Sequence, residues 1–99
     1  MARAFIVRPL AEADIDSAAQ WYENEQPGLA ARFLTDLDRT FTRIEERPLQ
    51  FPAIADGIRR ALLHTFPYAV YFQLSSESVT VLAVLHLRRH RHTWLGRAR

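Results

Sequence analysis

Cysteine and lysine are both absent from this sequence, and glycine occurs only three times. Without cysteine there is no disulfide, no thiol nucleophile and no Cys-type zinc site, which suits a reducing compartment. Without lysine every fixed cation is an arginine, 13 in all. Arginine stays protonated at any working pH, so it clamps phosphate or carboxylate but makes a poor general base. The three glycines are isolated, which excludes a phosphate-cradling glycine-rich loop. Ser75, Ser76 and Ser78 share a polar turn with no nucleophile elbow around them. Long apolar runs are missing too. The run Ala4–Val7 is cut short by Arg8 and Pro9, too brief for a signal peptide, and no window nears the roughly 18 apolar residues of a membrane span. These absences predict a cytoplasmic protein with no membrane partner and no cofactor.

What is present is enough for a core. Hydrophobic residues make up 48% of the 99 positions, so residues 1–99 are expected to form a single domain. A chain this short buries only about two thirds of its unfolded surface, so its stability should be modest.

The periodicity divides the chain cleanly. Ala4–Arg8 is a β-branched and aromatic run ended by Pro9, as expected of a first strand. Ala11, Ile15, Ala18, Ala19 and Tyr22 then share one helical face, with Glu12, Asp14 and Asp16 placed to favour the positive end of the helix dipole. Pro27–Gly28 interrupts this helix. A second helix, with Ala30, Phe33, Leu34, Leu37, Phe41 and Ile44 on one stripe, runs to Arg47 before Pro48, and Arg39, Arg43 and Arg47 line its flank. The short break predicts a helical hairpin. Pro48–Asp56 reads as loop. Beyond it the period becomes two: strands are predicted over Ile58–Phe66, Tyr68–Leu74 and Val79–Leu87, the last pair joined by the turn Ser75–Ser78. Val79–Leu87 is apolar on both faces, the mark of a central strand. The expected fold is α+β, in the order β-α-α-β-β-β, with the helical hairpin on one face of a small, mostly antiparallel sheet.

One segment concentrates chemistry. His86–Arg99 holds five of the thirteen arginines and three of the four histidines. If Arg59 and Arg60 stack beside it, a single guanidinium patch with Trp94 would suit phosphate, carboxylate or an acidic peptide. His86, His90 and His92 offer zinc ligands in principle, but Arg88, Arg89 and Arg91 interleave with them and repel a cation, so no metal site is expected. His64 and His86, each on a predicted strand, are the candidate acid–base groups of a phosphodiester-cleaving site.

Certain residues also carry a resemblance. Gly57-Ile58-Arg59-Arg60 opening a strand, Phe66-Pro67-Tyr68 between strands, Ala30-Ala31-Arg32-Phe33 on the second helix, and His86-Leu87-Arg88-Arg89 followed by Trp94 and Arg97 together resemble the RelE/ParE toxin superfamily of type II toxin–antitoxin systems, also called plasmid stabilisation proteins. The resemblance implies a growth inhibitor silenced in a hetero-oligomer by a cognate antitoxin. That partner would wrap the helical hairpin and sheet surface, here Trp21, Tyr22, Phe33, Leu37, Arg39 and Arg43. Two chemistries share the family. RelE-like members cut mRNA on the ribosome, and the matching residues would be Arg59, Arg60, His86, Arg88 and Arg89. ParE-like members poison DNA gyrase without a known nuclease site. RelE-like nucleases typically use lysines and a tyrosine near the C-terminus; this chain has no lysine and its last tyrosine is Tyr71. The ParE-like reading is therefore preferred, with Arg59, Arg60, His86, Arg88, Arg89, Arg91, Trp94 and Arg97 as the target-binding surface. A ribonuclease, and a non-toxic relic that still binds antitoxin, are the alternatives.

Overall fold

A computed structural model describes residues 3–89 and 93–98. The chain runs β1 (Ala4–Val7), α1 (Pro9–Glu25), α2 (Leu29–Glu46), a 3-10 turn (Pro48–Gln50), β2 (Ala53–Ala55), β3 (Ile58–Leu62), β4 (Tyr68–Leu74), β5 (Ser78–His86) and α3 (Thr93–Arg97). The strands form one sheet in the order β1-β5-β4-β3-β2. β1 lies parallel to β5, and every other pairing is antiparallel.

Both long helices pack on the same sheet face. Proline at the first position opens α1, where its missing N–H is no loss. The hairpin turns at Gly28, whose φ of +90° is a conformation that L side chains rarely adopt. The Glu23 carboxylate accepts the Gly28 and Ala30 N–H groups, so an anion sits at the positive end of α2. Ala11, Ala18 and Tyr22 of α1 and Phe33, Leu37 and Ile44 of α2 meet Tyr68, Val70, Phe72, Val79, Val81 and Val84 of the sheet. Within this core the Phe33 ring touches those of Tyr22, Phe66 and Tyr68.

Three expectations change. Pro48–Asp56 is not only loop, because Ala53–Ala55 pairs with β3 as a short edge strand. The strand expected to reach Phe66 stops at Leu62. Part of the tail is helical: α3 lies against the opposite sheet face, where Trp94 joins Ile58, Ala69, Tyr71, Leu82, Ala83 and Leu85. As expected of a central strand, β5 is buried on both faces and lies between β1 and β4. An irregularity opposite Tyr71–Phe72 gives β5 one extra residue, so both Leu82 and Ala83 join the second face before Val84 returns to the helix side.

Candidate interaction site

The sheet order separates the arginines that the sequence suggested might stack. Arg59 is paired with Phe72 on the helix face, whereas Arg60 is paired with Tyr71 on the other. His86 is opposite Tyr68, three rungs from Tyr71, which is about 10 Å along the strands and two strand widths across. A single patch of Arg59, Arg60 and His86 therefore does not form. Arg59 is committed elsewhere: its Nη1 donates to the Phe51 carbonyl at 2.6 Å.

The tail residues divide as well. Trp94 is packing, stacked on Tyr71 with centroids 5.6 Å apart and planes 12° from parallel. Arg97 is structural, paired with Asp14 of α1 and reaching the Leu82 carbonyl. The Asp14 Oδ2 that meets Arg97 Nη1 also accepts the Val84 N–H at 3.0 Å. These contacts have a common cause. β1 pairs with β5 only as far as Val81, whereas β4 follows β5 to His86. Past Val81 the β1-side edge of β5 has no strand neighbour among the described residues. A backbone edge left unpaired is costly when it is partly buried. Asp14 and Arg97 supply one rung of bonding from side chains. Replacing Arg97 with Ala should lower unfolding stability by about 2 kcal/mol, since a partly buried carboxylate loses its partner and a carbonyl its donor. Chemical denaturation measures it; a loss below half a kilocalorie would mean that the pair does not anchor α3.

Beyond that rung lies a cleft of about 310 Å³ between α1 and the end of the sheet. Asp14, Ser17, Trp21, Tyr68, His86 and Arg89 are on its walls. Arg89 folds back with its guanidinium carbon 5.6 Å from the centre of the Trp21 ring, a cation–π placement. Burial pushes the Tyr68 hydroxyl above the ordinary phenol range, against the opposing pull of Arg89, so it remains a neutral donor. Tyr22 is pushed up in the same way, mainly by burial. The His86 ring stands edge-on to Tyr68, and its Nδ1 accepts the Arg88 N–H at 3.1 Å. Arg88 and Arg89 are exposed. Arg91, His90 and His92 lie outside the described residues.

The antitoxin-side residues also divide. Tyr22, Phe33 and Leu37 are core, at 8%, 0% and 2% exposure, so they hold the hairpin to the sheet and offer no surface to a partner. Trp21 is 45% exposed and Arg39 is on the surface. Arg43 bonds the Leu62 carbonyl and covers Phe51. Arg39 borders an open groove of about 580 Å³ along α2, with Thr35, Asp38, Thr42 and His64. His64 is exposed there, and its backbone N–H donates to Asp36.

The family model described as the ParE toxin of type II toxin–antitoxin system, parDE, matches residues 5–91. The chain belongs to this ParE toxin family. Among solved structures the fold is similar to one described as the chromosomal ParDE toxin–antitoxin system from P. aeruginosa. That match has a TM-score of 0.76 at 18% identity, covering 86% of this chain and 96% of that one. Among curated proteins no sequence matches. For this ParE-family chain, sequence reasoning missed Asp14, Tyr68 and Asp36. Asp36 did leave a signal, because a carboxylate sits on the buried side of α2 between Phe33 and Thr40. Asp14 left none. Its expected role at the helix dipole gives way to bonds with residues some 70 and 83 positions away. No helix among the described residues is long and apolar enough to cross a membrane.

Proposed function

We propose that the chain is a growth inhibitor held silent by a cognate antitoxin, and that it acts by binding DNA gyrase rather than by cutting RNA. The observation that carries this reading is the match of the ParE toxin model over residues 5–91. Arg88 and Arg89, exposed at the end of β5, are its candidate target contacts. Trp21, Arg39 and the groove along α2 are its candidate antitoxin contacts.

The geometry favours binding over catalysis. Arg59 and Arg60 point to opposite faces, so the cations of a ribonuclease do not converge with His86. His86 is also poorly placed as a base. Its Nδ1 already accepts a hydrogen bond from the Arg88 N–H, so the neutral ring carries its own proton on Nε2. Induction of this chain alone should arrest growth with transcripts intact, and co-expression of its cognate antitoxin should restore growth. Codon-positioned mRNA cuts on transcript-end mapping would favour the ribonuclease. Normal growth on induction would leave the relic.

A further inference from the structure

Four arginines are partly buried among the described residues, and three of them have partners. Arg8 donates to the Arg97 carbonyl, Arg59 donates to the Phe51 carbonyl, and Arg97 meets Asp14. Arg60 is the exception. Its backbone N–H bonds the Pro52 carbonyl, but its buried Nε has no hydrogen-bond partner, and no carboxylate pairs with its guanidinium among the described residues. A buried donor left unmade is costly, the more so when it carries charge. A guanidinium has five donors and no acceptor, so an anion brought from outside is what satisfies it best. The surroundings are apolar. Arg60 is on the α3 face of the sheet, across from Tyr71, whose ring is stacked on Trp94. Ile54 packs against the same core, and Leu62, two residues along β3 on the same face, is 48% exposed. One cation among aromatic and aliphatic side chains is the anatomy of a protein-binding hot spot.

We propose that Arg60 is an anchor for the antitoxin, its guanidinium taking one Asp or Glu carboxylate of that partner while the same segment covers Leu62. This rests on the antitoxin reading above and adds to the α2 side a contact on the opposite sheet face. Charge selects the occupant. An acidic side chain gains a charge-assisted, fork-shaped bond and removes the unpaired donor at once. A nucleic-acid strand is held by several cations spaced along its phosphates, and here the adjacent Arg59 is turned to the other face. A second copy of this chain in a two-fold contact would bring Arg60 toward Arg60, like charge on like. The target is met only when the toxin is free, whereas the antitoxin covers the chain for as long as it is silent. A lasting partner stabilises the folded chain by relieving a standing defect in it.

The test is titration of the full chain and its variants with the cognate antitoxin, alongside urea denaturation of each free chain. Arg60→Met keeps an unbranched apolar stem and removes the unpaired cation. It should leave the free chain at least as stable as before and weaken antitoxin binding by about tenfold or more. That split separates an anchor from a structural arginine, whose loss would lower stability and leave binding unchanged. Leu62→Glu, at an exposed position on the same face, supplies Arg60 with an internal carboxylate and should weaken binding to a similar degree. It decides the matter if Arg60→Met is too unstable to titrate. Arg47→Ala, which removes an exposed cation at the end of α2, should stay within about twofold. Unchanged affinity in both Arg60→Met and Leu62→Glu, or an equal loss in Arg47→Ala, would overturn the assignment while leaving the antitoxin reading intact. Lost growth arrest in Arg60→Met with antitoxin affinity unchanged would also overturn it, and would put Arg60 on the target side. No binding by the unaltered chain would remove the antitoxin reading and this inference together.

Discussion

Replacing Asp36 with Ala should lower unfolding stability by about 3 kcal/mol, the cost of leaving three partly buried amides without their charged acceptor. Asp36 is 5% exposed on α2, facing the segment after β3. Its carboxylate accepts the N–H groups of His64, Thr65 and Phe66 at 3.1, 2.8 and 3.1 Å. Three successive amides turned toward one point form an anion-binding concavity, and here the chain supplies its own anion. The bond set fixes the turn between β3 and β4, and with it Phe66 and Tyr68 against the helices. A domain of this size has about 5–10 kcal/mol in total, so the melting temperature should fall by roughly 15 °C.

The same residue sets an acid limb. Burial raises the carboxyl's pKa, but the three N–H bonds and nearby His64 outweigh it, and the net shift is downward. A depressed folded value means the contribution is present above the unfolded carboxyl value, about 3.9, and is lost as pH falls through the folded one. Asp36→Asn should therefore be less stable at neutral pH and show a flatter loss of stability below about pH 4. Parallel acid limbs for the two proteins would mean that the bonds do not discriminate charge.

Phe33→Ala is expected to cost about 4 kcal/mol, the usual range for emptying a fully buried aromatic site. Phe33 has 0% exposure and ring centroids 5.4, 5.5 and 5.2 Å from Tyr22, Phe66 and Tyr68. The Phe66 and Tyr68 pairs add a small edge-to-face term to the area buried, whereas the Tyr22 ring is tilted at 31°. No single neighbour can collapse into the gap, because each is held by a different element: α1, the β3–β4 connection and β4. The exposed neighbour Leu34, at 39%, serves as the control, and Leu34→Ala should stay within about 0.5 kcal/mol. Equal losses for the two variants in urea denaturation would contradict this account of the core.

The elements that the sequence made legible are those where periodicity is strong. Helix 2 shows its stripe over four turns, and Tyr68–Leu74 falls where β4 is observed. Two pieces were too short to leave a period: the three residues of β2, between Pro52 and Gly57, and the five of α3 within a basic tail. Gly57 at φ +73° does mark the β2–β3 turn, but a lone glycine does not say that a strand precedes it. The candidate site was half visible. Arg88 and Arg89 stood out as charge, yet whether Arg59 and Arg60 could join them depended on strand order and on alternation. Alternation alone already placed adjacent Arg59 and Arg60 on opposite faces. Asp14 with Val84 and Arg97 was beyond reach, because that contact exists only where β1 stops short of β5. Trp94 illustrates the same difficulty, since an aromatic within a basic tail reads as recognition until a sheet face is found for it.

The most direct test of the proposed activity is supercoiling by purified DNA gyrase in the presence of this chain freed of its antitoxin. Loss of supercoiling with accumulation of cleaved DNA, reversed on adding the antitoxin, is the predicted result. Full supercoiling at saturating, folded protein would contradict it.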